Sequence, residues 1–249
     1  MEKPPTRIIS IVPSQSEFLW DLGLKEQLIG ITKFCIHPKE MFNSVERVGG
    51  TKKLNIEKIR KLKPDLIIGN KEENERSEIE LLKNEFNVWM SDINSFEDAY
   101  VMMENLGEIC NRKKESSEII NQIKISVSRI RNIFSGQSVA YFIWNGPYMF
   151  AAKKTFIDHV LNHLGFKNAL GGHERYPELE KAALKQLNPD YCFLSSEPFP
   201  FKEKHIQEIK KILPASNVII VDGEMFSWYG SRLLKLEEYI SGLKRTFNF

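Results

Sequence analysis

Cysteine is scarce in this chain of 249 residues: Cys35, Cys110 and Cys192 stand far apart and are odd in number. That pattern argues against a disulfide framework or a thiolate zinc site and reads as three buried thiols. No run of about eighteen apolar residues occurs, so an integral membrane protein is not expected. Neither charge is in excess, with 35 Lys and Arg against 33 Asp and Glu. No basic block accompanies a nucleic-acid motif, and nucleic acid is not the expected partner. The residues before Pro13 lack the apolar stretch of a secretory signal, which favours the cytoplasm. Signatures of catalysis are missing too: there is no nucleophile elbow, no phosphate-cradling glycine loop and no Cys-His or Ser-His-Asp set. An enzyme is therefore not expected, and no catalytic residue is assigned. His159 and His163 stand four apart on one expected helix, but no third ligand accompanies them, and His37, His173 and His205 are isolated. Neither a metal site nor an intrinsic cofactor is expected; any metal would arrive inside a chelate.

What is present is a chain with 42% hydrophobic and 27% charged residues, enough for two lobes with cores of their own. RIISIV reads as a buried strand. PSQSEF follows it, with Ser14 three residues before Glu17 in the spacing of a capping box, and the helix should stop at Gly23. LIGIT reads as a second strand, LNIEKIRKL as a helix, and DLIIGN as a strand after a Pro-Asp break. A helix over 76–86 and the strand NVWMSD complete the first half. From Phe96 to Phe134 there is no proline and one glycine, Gly107, which predicts two helices. In the second and longer one, Ile119, Ile120, Ile123, Val127, Ile130 and Ile133 share a stripe. Strand and helix alternate again in SVAYFIW, TFIDHVLNHLG, a helix over 179–187, DYCFLS, KEKHIQEIKKI, NVIIVD and a last helix from Ser231. Alternation of this kind predicts parallel sheets with helices on their faces.

An internal repeat supports division into two. LNIEKIRKLKPDLII aligns without a gap on LEKAALKQLNPDYCF, placing Leu54, Leu62, Pro64 and Asp65 over Leu179, Leu187, Pro189 and Asp190. The expected fold class is α/β: two Rossmann-like lobes, 1–110 and 136–249, with parallel sheets, joined by one long backbone helix over 111–135. A ligand cleft is expected between the lobes, lined by the loops that follow the strands, since open parallel sheets bind ligands beyond their carboxyl ends. Those loops are rich in aromatics, which suits a large, flat, partly apolar guest. The candidate ligand-binding residues are Ser14, Phe34, Thr51, Asn70, Trp144, Tyr148, Tyr176, Phe199, Glu224, Phe226, Trp228 and Arg232. Arg232 has two readings, a partner for an anionic group of the ligand or a structural cap.

Four segments in order, RIISIVPSQSEFLWDLGL, VGGTKKLNIEKIRKLKPDLIIGN, IWNGPYMFAAKKTFIDHVLNHLGFKNAL and FSWYGSRLL, give the chain a further identity. It resembles the cobalamin-binding group of the helical-backbone (class III) periplasmic binding proteins, from Arg7 to the final helix. The resemblance implies a monomer that captures cobalamin, haem or a ferric siderophore for an ABC permease, with little domain closure. It carries Phe34 and Tyr176 over as cleft aromatics, while Thr51 and Asn70 stand where the group has tryptophans. Each lobe of such a binder docks on its permease through one glutamate. Glu75 matches in the first lobe; in the second the matching position is Ala182, with Glu178 and Glu180 close by, and Glu180 is taken as the docking residue. The resemblance implies a periplasmic location and the missing signal a cytoplasmic one, so both stay open, as does a cytoplasmic cofactor-handling or chelatase-like role for the same fold.

Overall fold

Ile8, Ile9 and Ser10 are buried without exception, as a strand flanked on both sides and covered on both faces must be. They form β1 (Ile8–Ser10) at the centre of the first of two sheets. The structure, a computed structural model, describes residues 3–247; Met1, Glu2, Asn248 and Phe249, which the expected lobe ranges include, lie outside the described residues. The chain falls into two compact units.

In the first half β1 is followed by α1 (Pro13–Asp21), β2 (Leu28–Ile31), α2 (Lys39–Ser44), β3 (Glu46–Arg47), the hairpin β4 (Gly49–Gly50) and β5 (Lys53–Leu54), α3 (Ile56–Leu62), β6 (Leu66–Asn70), α4 (Arg76–Lys83), β7 (Val88–Ser91), α5 (Phe96–Ile109) and α6 (Lys113–Arg129). The sheet runs β3-β2-β1-β6-β7 and is parallel throughout. Ile9, Ile11, Ile59, Ile67, Ile79 and Leu82 pack one of its cores. The helix pair α5 and α6 is separated by Asn111, in left-handed conformation at φ 53°. Along α6 and its end, Ile120, Ile123, Val127 and Ile130 are buried while Ile119 and Ile133 are half-buried, so the predicted stripe is the packed one. The boundary between the units falls within α6, after Lys124.

The second half contains β8 (Ser138–Trp144), β9 (Tyr148–Phe150), α7 (Phe156–Leu164), β10 (Lys167–Asn168), β11 (Glu178–Leu179), α8 (Lys181–Leu187), β12 (Tyr191–Ser195), α9 (Glu203–Ile212), β13 (Asn217–Val221), α10 (Gly223–Ser227), a 3-10 turn (Ser231–Lys235) and α11 (Leu236–Phe247). Its sheet runs β11-β9-β8-β12-β13, with β10 also beside β8. It is mixed where a parallel sheet was expected: β9 lies antiparallel to β8 and β11. The reason is local, because the short turn between Trp144 and Tyr148 permits only a hairpin, whereas a parallel return needs a crossover.

Three further expectations change. The helix α1 does not start with a capping box: its N-cap is Val12 and Pro13 opens it. Proline suits the first helical turn because its missing N–H is one of those left unpaired there, so Ser14 lies inside the helix and Glu17 is released for another partner. Part of the loop GEMFSWYGSR is helical, as α10, capped by Asp222 accepting from the Glu224 N–H at 3.0 Å. Finally, Tyr229–Leu234 belongs to the first unit although β13 and α11 on either side belong to the second.

The sequence repeat has a structural counterpart in each unit. Asp65 accepts hydrogen bonds from Thr6 N (2.7 Å), Thr6 Oγ1 (2.9 Å) and Arg7 N (3.0 Å), just before β1. Asp190 accepts from Ser138 N (2.7 Å) and Ser138 Oγ (2.7 Å), at the start of β8. In both copies the aspartate after proline clasps the first strand of the sheet, aligning its partner strand beside it. The backbone and side-chain hydrogen bonds from Ser138 hold the Asp190 carboxyl below its ordinary range. A carboxyl depressed in the folded state contributes stability above its unfolded value of about 4, and that contribution is lost as pH falls through the folded value. Asp190→Asn should therefore be less stable than the parent by about 1 kcal/mol at pH 7, with the difference closing at acid pH, below the ordinary carboxylate range, in urea unfolding. An equal difference at both pH values contradicts the clasp.

Candidate functional site

In the first unit the chain leaves β2 into a tight turn. Thr32 and Cys35 are buried, the Phe34 N–H donates to Thr32 Oγ1 at 3.3 Å, and the Phe34 ring is left 49% exposed. Beside it stands the hairpin β4–β5. Gly49 has φ +111°, and a Cβ there would lie 2.6 Å from the Lys53 carbonyl oxygen, so only glycine makes this hairpin. Phe34, the hairpin and Thr51 border an open concavity of about 830 Å³, with Lys33, Lys52 and Lys53 on its wall. Asn74 ties the surrounding loops together: its Oδ1 accepts from Asn70 N at 2.8 Å, and its Nδ2 donates to the carbonyls of Ile11 and Thr51, each at 3.1 Å. A second concavity, about 680 Å³ beside Trp89 and Asn105, includes Lys3 and Pro4. It lies at the amino ends of the strands, away from the side where open parallel sheets take ligands.

Several candidates lie below this surface. Asn70 is buried, with Nδ2 donating to Ser91 Oγ at 3.0 Å and Oδ1 accepting from Glu72 N at 2.8 Å, and is reassigned from ligand contact to loop support. Ser14 is buried in α1 beside the buried Tyr229 hydroxyl, and is reassigned likewise. Arg232 is also reassigned: its Nε and Nη2 meet the two carboxylate oxygens of Glu17 at 2.7 and 2.9 Å, with both side chains about 5% exposed. The structural reading of Arg232 prevails because a buried guanidinium requires a buried counter-charge.

In the second unit Trp144 ends β8 with 41% of its surface exposed. Phe199 braces it edge-on at 5.6 Å, and Phe199 in turn packs on Phe201 at 4.8 Å and His205 at 5.3 Å. The ladder runs from solvent into the core, since Phe201 and His205 are buried. Tyr148 is half-buried on β9, its edge on Phe142 at 6.1 Å. Tyr176 is half-buried, with the Arg175 guanidinium carbon 5.6 Å from its ring centre. Glu224 is half-buried in α10. Two aromatics do not face outward. Phe226 is wholly buried against Tyr141 and Phe193. Trp228 is 7% exposed, and its Nε1–H donates to Glu197 Oε1 at 2.8 Å, a partner that sequence spacing did not suggest. Burial lifts the Glu197 carboxyl above its ordinary range, against the hydrogen bonds from Ser227 and Trp228. Gly223 lets this group approach, as a Cβ there would fall 2.3 Å from Ser195 Oγ.

The cysteines and the histidine pair take part in packing. All three cysteines are free and buried; burial pushes Cys35 up to about 11 and Cys110 and Cys192 up to about 12. His159 and His163 both meet the Phe96 ring edge-on, at 4.9 and 5.0 Å, and His163 Nε2 lies 2.9 Å from the Val127 carbonyl oxygen. No group of three His, Cys, Asp or Glu side chains suited to a metal occurs among the described residues, and no described helix is long and apolar enough to cross a membrane. Glu75 and Glu180 are exposed at the N-caps of α4 and α8. They are not equivalent in the repeat: α4 follows β6, and its counterpart after β12 is α9, which opens at the exposed Glu203.

The family described as periplasmic binding protein matches residues 8–214. An uncharacterized ABC transporter substrate-binding lipoprotein of Bacillus subtilis is 29% identical, over 76% of this chain and 63% of its own length. The chain thus spans just under two thirds of that relative. The vitamin B12-binding protein of Pectobacterium carotovorum is 25% identical, over 95% of this chain and 87% of its own. Among solved structures, a periplasmic haem-binding protein from Pseudomonas aeruginosa superposes with a TM-score of 0.80 at 20% identity, over 96% of this chain and 92% of its own, a likeness of fold.

Removing one partner of the buried charge pair should cost about 3–5 kcal/mol, because the other is left uncompensated. Arg232→Met is expected to lose that much in chemical unfolding, and Glu17→Met with Arg232→Met to recover most of it. A single variant as stable as the parent would return Arg232 to the ligand.

Proposed function

The chain belongs to the periplasmic binding protein family, and we propose that it is the solute-binding component of an ABC-type importer, taking up a corrinoid or an iron chelate such as haem. The observation that carries this reading is the exposure of Phe34 and Trp144, one in each unit, each at the carboxyl end of a strand. Rings left about half in water forgo about 1 kcal/mol each relative to full burial, and a flat guest stacked on them recovers part of that. Around these rings Thr51, Tyr148, Tyr176, Phe199 and Glu224 supply further stacking area and the few polar groups that orient a ligand. The names of the Bacillus and Pectobacterium relatives, a transporter substrate-binding lipoprotein and a vitamin B12-binding protein, agree with this reading. The family is one of solute-binding proteins. For docking on a permease, Glu75 and, by its place in the repeat, Glu203 in preference to Glu180 are the carboxylates proposed; the protein acts as a monomer.

The experiment is a titration of the purified protein with cobalamin, cobinamide, haem and ferric siderophores, followed by tryptophan fluorescence. At least one chelate should bind with a Kd in the micromolar range, roughly, or tighter. Trp144→Ala should weaken that binding about fivefold, through the stacking area lost. Failure of every chelate to bind below about millimolar contradicts the proposal.

A further inference from the structure

Trp89 stands half-buried on β7, the edge strand of the first sheet. Its ring forms part of the concavity of about 680 Å³ at the amino ends of the strands, and Lys3, Asn105, Glu108 and Asn111, all exposed, supply the polar lining. Every one of these residues belongs to the first unit. Asn105 and Glu108 are three apart on α5 and so share one side of that helix. Asn111 follows the helix in left-handed conformation at φ 53°, its N–H donating to the Glu108 carbonyl at 3.2 Å, which folds the chain back over the same side. Among the described residues no acceptor meets the Trp89 Nε1–H and no other ring packs on the indole. The side chains of Lys3, Asn105, Glu108 and Asn111 likewise have neither a hydrogen-bond nor an ion-pair partner there.

The chemistry of this lining limits what it can hold. An indole offers an apolar face and a donor at its edge. Each asparagine amide both donates and accepts, the Lys3 ammonium only donates and the Glu108 carboxylate only accepts. Hydroxyl groups, which do both, can therefore be met all round the rim. Lys3 and Glu108 cancel in formal charge, so the site favours neither anion nor cation. A purely apolar guest would take the amides and the carboxylate out of water without partners, a cost that stacking on one indole does not offset. A saturated ring with C–H groups on its face and hydroxyls at its edge satisfies both the indole and the rim. We propose that this concavity is a carbohydrate site, binding a pyranose either as a free sugar or as one unit of a glycan. Its volume falls within the range of small-molecule pockets. The site is separate from the one proposed for the chelate, since neither Phe34 nor Trp144 borders it.

The test is a titration of the isotope-labelled full chain with methyl β-glucoside, N-acetylglucosamine and cellotetraose, and with cyclohexanol as a ring bearing a single hydroxyl, followed by the indole N–H resonances in nuclear magnetic resonance. The Trp89 resonance is identified as the one lost in Trp89→Phe. At least one sugar should shift that resonance saturably, with a Kd in the millimolar range, roughly, or tighter, and cyclohexanol should not. Asn105→Ala and Asn111→Gly, the second of which keeps the left-handed backbone, should each weaken the sugar about fivefold while the protein stays folded. Tighter binding of the tetrasaccharide than of either monosaccharide identifies a glycan, and equal binding a free sugar. No saturable shift of the Trp89 resonance with any sugar at tens of millimolar, binding of cyclohexanol as tight as that of the sugars, or unchanged affinity in both asparagine variants overturns the proposal. Each of these results leaves chelate binding as a separate question, read at Trp144.

Discussion

Two buried charges organise the first unit. Glu17 in α1 and Arg232 beyond β13 are 215 residues apart in the chain and meet through two hydrogen bonds with almost no access to water. Neither charge is tolerable there alone, so the pair commits Tyr229–Leu234 to packing beside α1. Once that segment is fixed, Tyr229 is buried beside Ser14 and Ser91 under the strand ends. Serine, asparagine and glutamine side chains near β1, β6 and β7 are buried for a common reason: loops that turn sharply leave backbone groups in need of partners, and these side chains supply them.

A rigid floor permits an apolar rim. Asn74 alone holds Ile11, Thr51 and Asn70, so the hairpin beside Phe34 is positioned by hydrogen bonds and not by burying its ring. In the second unit the same result comes from aromatic packing, with Trp144 propped on Phe199 and that residue on Phe201 and His205. Trp144 is thus propped on one side, and Phe34 is left exposed beside the hairpin; on the proposed reading, a ring already placed spares a guest the entropic cost of ordering it.

Much of the fold was legible because periodicity and punctuation report local preferences. The main strands, the long helix α6 with its buried stripe, and the Pro-Asp repeat follow from residues close in sequence. What escaped depended on partners far away. The Ser14–Glu17 spacing suggested a cap, but Pro13 already opens the helix and Glu17 answers Arg232. Trp228 was expected to face a ligand, and instead it closes on Glu197, because an indole N–H beside a buried carboxylate is better satisfied there than in a cleft. Asn70 and Phe226 were misplaced for the same reason, since strand-end residues look alike in sequence whether they point up into solvent or down into the loop's own support. Among the candidate ligand-binding residues, Phe34 and Trp144 are exposed, Thr51, Tyr148, Tyr176, Phe199 and Glu224 are half-buried, and the other five are buried.

The central proposal is physical: a flat chelate rests on the rings left exposed at the strand ends. The most direct measurement is a crystal structure of the protein with such a chelate bound. The proposal predicts ring atoms of the chelate in van der Waals contact with Phe34 or with Trp144. A chelate seated at the opposite edge of the first sheet, beside Trp89 and Asn105, with Phe34 and Trp144 still open to solvent, would contradict it.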